Sequence, residues 1–497
     1  MSRWLLSIAA VLALGMFAWG APPDAEQTWT VDTVLQRIAP LTHDASNRWP
    51  MITWEPFLLA TNDTSFQKGI PLPLTVYREL LRRGLTQAIR MNTNYLAIGK
   101  ALQEAGSPVI MMEGNGGDGP FARGDDFQHH LPPDYKIPEG ERHYPCAMIR
   151  TGWEREAARV RDTMTAFKQA GVTVNAVWLD WEVEPLWWST ERWRQARACS
   201  RCRETFPSGT LWNFLVYMNC IRPYRQQLFS DYLAAPILDV FPQCSVSNWD
   251  SLFSTRKCPA YNWYGDIVPP MDIGRFTASM PAVYASNASF TDYWYGRLGA
   301  PFRHLRSLRC IGEPEAVTDR VYTHVMLGSF SANAGNAMRM APAKKCIPWV
   351  SGFVIDNVRK DTPVLSRDRY REILRHVWLR GADAMQVFNP LNDAHPQYRL
   401  LEVEDACAIY DEMLAYRRFL DDGEVVNLRC PSFQDTGAIW SGLRLGNEAV
   451  VRAFTQGDRE VRFAIRPWAD AARVEIVAPP RGVTYLLRRD GDRVRAD

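Results

Sequence analysis

Between residues 51 and 388 short apolar runs, bounded by Gly, Pro or polar residues, alternate with stretches of helical period. Such alternation forces a chain toward a parallel sheet, because parallel neighbours need a crossover between them. The runs are Met51–Pro56, Val109–Glu113, Val174–Pro185, Ile237–Phe241, Ser279–Tyr284, Trp349–Asp356 and Ala384–Phe388. Helical patterns cover Tyr77–Met91, Tyr95–Ala105, Arg155–Ala170, Glu191–Cys202, Asn213–Leu233 with a break near Pro223, Val321–Met338, Arg367–Arg380 and Asp405–Phe419. In a chain of 497 residues this predicts an α/β fold, a (β/α)8 TIM-type barrel with its site at the C-terminal strand ends. From about Gly423 the period falls to two, over Ala438–Leu445, Ala449–Thr455, Glu460–Ile465, Arg473–Ala478 and Val483–Arg488. That predicts a small C-terminal antiparallel β-sandwich domain. The expected division is a signal peptide at 1–20, a lead-in at 21–47, the barrel at 48–422 and the sandwich at 423–497.

Residues 1–20 carry Arg3, an apolar run from Trp4 to Trp19 and a small-x-small end at Ala18-Trp19-Gly20. The run is short for a membrane span and reads as a secretory signal. A secreted or periplasmic chain is therefore expected, with an uncleaved, membrane-tethering anchor as the alternative. A net charge of +2 argues against a nucleic-acid partner or a strong membrane field. Export makes disulfides plausible among the ten cysteines, including the Cys199-x-x-Cys202 pair. A zinc site needs two further ligands, and there is no second CxxC and no HxxxH, so a disulfide is expected and no metal. His129-His130 falls in a Pro-, His- and Asp-rich insertion over 120–148 and is expected to face solvent. No organic cofactor is indicated. The oligomeric state is open.

The run Val174–Pro185 ends in Asp180-Trp181-Glu182-Val183-Glu184. Side chains alternate along a strand, so Asp180 and Glu182 share a face, with Cα atoms roughly 6.6 Å apart. Leu179, Trp181 and Val183 then face the covering helices. Two acids on the inner face of an apolar strand are costly unless solvated, bonded or used. A buried ion-pair network is the structural alternative. The 19 tryptophans are consistent with a carbohydrate cleft, and equally with a large core.

Leu179-Asp180-Trp181-Glu182 followed by Pro185-Leu186-Trp187 resembles the corresponding strand of the hyaluronidase glycoside-hydrolase family. Phe241-Pro242-Gln243-Cys244 is similar to its Phe-Pro-Asp-Cys, Asn248-Trp249-Asp250 to its Asn-Tyr-Asp, and Cys258-Pro259 to the Cys-Pro that closes that loop. Met280–Tyr284 resembles its Tyr-Pro-Ser-Ile-Tyr strand, and Gly381–Phe388 its final strand, with Phe388 in place of tryptophan. These matches keep the family's order across 175–390. The resemblance implies a secreted, retaining, substrate-assisted hydrolase of N-acetylhexosamine-containing polysaccharide. Glu182 would be general acid and then base, Asp180 would hold the acetamide, and Tyr284 would bond near it. Phe388 would floor the sugar site, and Cys244 would pair with Cys258. Trp54, Glu113, Trp181, Glu184, Trp187, Asp250 and Asp356 are the further candidate substrate contacts.

Two other readings stay open. A two-carboxylate retaining glycosidase would use Glu182 or Glu184 opposite Glu55, Glu113 or Asp356, with the carboxyl groups about 5–5.5 Å apart. A non-catalytic glycan-binding or envelope scaffold protein would fit the family aspartate replaced by Gln243.

Overall fold

The computed structural model describes residues 31–53, 68–117, 128–146, 148–183, 190–250, 274–285, 314–340, 342–352, 365–388, 396–431 and 437–496. The expected signal peptide lies outside these residues. In chain order the parallel strands are β1 Met51–Thr53, β2 Leu85–Gln87, β3 Ile89–Arg90, β4 Val109–Gly117, β5 Val174–Val183, β6 Ser245–Asp250, β7 Ala278–Tyr284, β8 Lys345–Cys346, β9 Trp349–Ser351 and β10 Gln386–Val387. They form one sheet in the order β2-β1-β10-β9-β7-β6-β5-β4-β3, with β8 beside β7. The two ends of that order are consecutive in sequence. Ala88 alone separates β2 from β3, and its N–H bonds to Thr53 O at 2.9 Å.

One face of the sheet gathers Ile52, Ala88, Ile110, Met112, Ala176, Trp178, Ala282, Tyr284 and Trp349 into a buried cluster. The alternate positions, among them Leu85, Ile89, Val177, Leu179, Val246 and Val350, pack with the helices in a second, larger core. Two apolar faces on β4 and β5 explain why their runs read as near-continuous hydrophobics.

Two expected elements change. The helix expected over 77–91 is a helix only at Leu74–Arg82, and 85–90 is strand. Gly84 makes the switch at φ +69°, where a Cβ would also strike Leu41 and Tyr410. The strand expected at Ile237–Phe241 is a helix, Ala235–Val240, which continues the π-helical turn Ser230–Ala234 and has Pro236 at its start. The strand itself is β6; its inner positions Ser245 and Ser247 are polar and buried, so no apolar run marks it. The helix Phe214–Phe229 runs through Pro223 without the expected break. The helix expected over 191–202 divides into Thr190–Ala198 and Ser200–Thr205.

From Glu424 onward the strands are antiparallel: β11 Glu424–Val425, β12 Ala438–Leu445, β13 Glu448–Thr455, β14 Val461–Ile465, β15 Val474–Ala478, β16 Val483–Asp490 and β17 Arg493–Ala496. A five-stranded sheet, β11-β12-β13-β16-β17, and the pair β14-β15 enclose a small core with Val451, Trp468, Ile476 and Leu487. The opposite face of β12 and β13, with Ile439, Leu443, Val450 and Phe454, joins the helical core.

Buried polar groups fasten this sheet to the helix Arg367–Trp378. Arg452 grips Glu372 with two bonds, Nε to Oε1 at 2.8 Å and Nη2 to Oε2 at 2.7 Å. The buried Arg380 guanidinium donates to Ser441 and to the carbonyls of Leu428 and Arg429. Burial pushes the Glu372 carboxyl up, but hydrogen bonds from His376 and Arg452 overcome it and hold the group at about 2. A carboxyl depressed on folding stabilises the fold above its unfolded value of 4.5, and that contribution fades as pH falls toward 2. Glu372→Gln should therefore cost about 3–5 kcal/mol at pH 7 by leaving Arg452 buried and uncompensated. In denaturant titrations the gap between variant and parent should narrow below pH 4.5. A gap independent of pH would contradict this assignment.

Candidate active site

The β4–β5 ladder sets the site. Ile110 pairs with Ala176, Met112 with Trp178, Gly114 with Asp180 and Gly116 with Glu182. Ala176 and Trp178 belong to the inner cluster, so the period of two carries Asp180 to the same inner face near the C-terminal end of β5. Leu179 packs on the helix side, as expected. Asp180 is half-buried. Glycine opposite it leaves room: a Cβ at Gly114 would sit 3.7 Å from Asp180 Oδ2.

Aromatic rings gather on the face that carries Asp180. Trp178 and Trp349 meet with ring centroids 4.3 Å apart, tilted by 46°. Tyr284 stacks on Phe388 at 4.8 Å and 18°, and Phe388 meets Trp349 edge-on at 6.3 Å. Tyr284 is buried, whereas Phe388 is only partly so. The four rings come from β5, β7, β9 and the residue after β10. Tyr284 and Phe388 were expected near the acids. Trp178 and Trp349 were not singled out, although Trp178 shares Asp180's parity.

Glu113 is a correction. It lies between Met112 and Gly114, faces the helix side opposite Leu179, and pairs with Arg159 of the helix Thr151–Gln169, where Glu156 also binds Arg159. Burial pushes its carboxyl up to about 7, against the pull of Arg159. It is therefore neither a substrate contact nor a partner for Glu182 across the strand mouth. Trp181, Glu182 and Asp250 have described backbone on β5 and β6, their side chains being outside the description. Trp54, Glu55, Glu184, Trp187 and Asp356 lie outside the described residues.

The cysteine expectations change as well. Cys244 is a buried free thiol, and its expected partner Cys258 lies outside the described residues. Cys199 and Cys202 are free thiols too, and Cys146 joins them. Its Sγ lies 3.9 Å from that of Cys199 and 3.7 Å from that of Cys202. His129, expected in solvent, is 6% exposed, with Nδ1 3.6 Å from Cys202 Sγ. Burial holds its imidazole below the usual range, hence neutral. No local spacing announces this group, because its members span residues 129 to 202.

A cavity of about 550 Å³ opens at the other end of the strands, lined by Trp49, Pro50, Ser107, Pro108, Thr173 and Asn175. It is remote from Asp180 and holds no carboxylate. No helix among the described residues is long and apolar enough to cross a membrane.

No protein-family model matches the chain, and no curated protein matches it. Among solved structures, it is similar to a GH30 endoxylanase from Clostridium papyrosolvens at 10% identity, covering 90% of this chain and 98% of that one, with a TM-score of 0.34. An alpha-amylase from Lactobacillus plantarum matches at 11% identity over 88% and 96%, TM-score 0.38. An alpha-galactosidase from Lactobacillus brevis matches at 9% over 93% and 51%, TM-score 0.39. These neighbours are glycoside hydrolases; likenesses at such identities and TM-scores decide nothing about the reaction.

The placement of Glu113 has a direct test. A carboxyl raised on folding costs stability as pH climbs from 4.5 through about 7. Glu113→Gln should gain stability relative to the parent across that window and keep any hydrolytic turnover within about twofold, since it makes no transition-state contact. A tenfold loss of turnover at unchanged stability would put Glu113 back in the site.

Proposed function

We propose that the chain is an exported glycoside hydrolase that cleaves N-acetylhexosamine-containing polysaccharide with retention, by substrate assistance. The carrying observation is Asp180, half-buried two residues beyond Trp178 on the same face of β5, with Trp178, Trp349, Phe388 and Tyr284 in successive ring contact on that face. An aromatic floor with an acid at its edge suits a sugar ring, whose apolar face stacks while its polar substituents bond. In this reading the parallel sheet is a closed eight-stranded barrel, with 85–90 as one strand joining β1 to β4. The bond from Ala88 to Thr53 supports that closure.

In the reaction, protonated Glu182 gives its proton to the glycosidic oxygen as the bond to the anomeric carbon breaks. The acetamide carbonyl oxygen of the same sugar attacks that carbon and forms a cyclic oxazolinium ion. Asp180 accepts the acetamide N–H and stabilises the positive charge. Glu182, now a carboxylate, takes a proton from water as the water opens the ring, and two inversions leave the configuration retained. Tyr284 bonds near the acetamide, and Phe388 stacks beneath the sugar. Trp54, Trp181, Glu184, Trp187, Asp250 and Asp356 remain proposed contacts.

The two-carboxylate reading loses Glu113 on geometry and keeps only Glu55 and Asp356 as partners. A glycan-binding scaffold keeps the aromatic floor without turnover.

The test is a screen of hyaluronan, chondroitin and chitin fragments with the full chain, Asp180→Asn and Glu182→Gln. The parent should turn over at least one N-acetylated polymer and no de-N-acetylated counterpart. Each variant should lose about 10²–10⁴ in rate, the range for a removed acid or base. Equal cleavage of de-N-acetylated polymer would favour two carboxylates, and binding without turnover would favour the scaffold.

A further inference from the structure

We infer that His129, Cys146, Cys199 and Cys202 form a Cys3His site for a structural zinc ion. The four donor atoms lie within 4.8 Å of one another, and all four residues are buried. Three of their six edges match those of a tetrahedron around a common centre. Zinc–sulfur bonds of about 2.3 Å and zinc–nitrogen bonds of about 2.0–2.1 Å give edges of roughly 3.8 Å between sulfurs and roughly 3.6 Å between sulfur and nitrogen. The observed edges are 3.9 and 3.7 Å between sulfurs and 3.6 Å from sulfur to Nδ1. A disulfide, at about 2.05 Å, would join two of the thiols and strand the third beside the imidazole. Three soft sulfurs and one imidazole, with no carboxylate, select zinc over harder cations.

Local structure places the four donors. Cys199 stands at the N-cap of the helix Ser200–Thr205, and Cys202 lies in its first turn. The other two donors are brought together by a bridge between Gln128 and Pro145 and by the bond from His129 N–H to Tyr144 O. Outer contacts then fix the loop. Buried Gln195 accepts from the Tyr144 N–H at 2.8 Å and donates to Arg142 O at 2.6 Å, and the Ser200 N–H bonds to His130 O. Such outer-shell bonds orient metal ligands.

His129 and Cys146 belong to the segment that follows β4; Cys199 and Cys202 belong to the helices that follow β5. The ion therefore clamps together the connections that leave the two strands carrying Gly114 and Asp180. With four protein donors no coordination position is left for water, so the role is structural and does not depend on the reaction proposed for Asp180.

The test is elemental analysis of the full chain, purified without chelator and desalted, together with thiol mapping by mass spectrometry under non-reducing denaturing conditions. Roughly one equivalent of zinc per chain is expected, with Cys146, Cys199 and Cys202 all alkylated as free thiols without reductant. Cobalt substitution should give the visible bands of a tetrahedral thiolate site. Cys199→Ser/Cys202→Ser should lose the metal, and His129→Cys should keep it. Zinc below about a tenth of an equivalent from zinc-supplemented culture, or a mapped disulfide from Cys146 to Cys199 or Cys202, would overturn the assignment. Both readings come from the parent protein, so a variant that fails to fold does not obscure the result, and neither depends on catalysis.

Discussion

The contact between Trp178 and Trp349 holds the site in place. The two rings, one from β5 and one from β9, meet at 4.3 Å on one face of the sheet, and both side chains are fully buried. Burying two indoles stabilises the sheet by several kcal/mol, at roughly 25 cal/mol per Å² of apolar surface. It also sets the depth of everything above them. Asp180 comes two residues after Trp178 on the same face, so it stands one layer higher, where apolar filling gives way to a carboxylate. That acid remains half-exposed.

The same period of two separates acids that look alike in sequence. Glu113 and Asp180 both end apolar runs, yet β4 turns Glu113 outward to Arg159 while β5 turns Asp180 inward. Parity makes one a helix-anchoring ion pair and the other a candidate catalytic group. Away from the strands, polar groups do a different job. Glu372–Arg452 and the bonds of Arg380 tie the antiparallel sheet to the helices, and the Cys and His donors gather the connections after β4 and β5.

Much of this was legible from the residues alone. Val174–Val183 carries its own parity, and the C-terminal strands, being two-periodic with clear turns, lie within a residue or two of their expected limits. What could not be read depended on tertiary context. Leu85 and Ile89 suit a helical stripe as well as an alternating strand, and only the turn at Gly84 decides. Ser245 and Ser247 hid β6 because the inner face there accepts small polar groups. The Cys and His donors converge from three separate segments, so no fixed spacing could reveal them, and the local CxxC pointed to a disulfide instead.

The proposed chemistry turns on whether the acetamide of the substrate is the nucleophile above this floor. The most direct measurement is calorimetric binding of the cyclic thiazoline analogue of the N-acetylhexosamine that the enzyme cleaves, set against the parent sugar. A site complementary to the oxazolinium ion should bind the analogue at least ~10²-fold more tightly, as transition-state mimics do. Equal affinity for the two, in a preparation that cleaves the polymer, would contradict substrate assistance by Asp180 and Glu182.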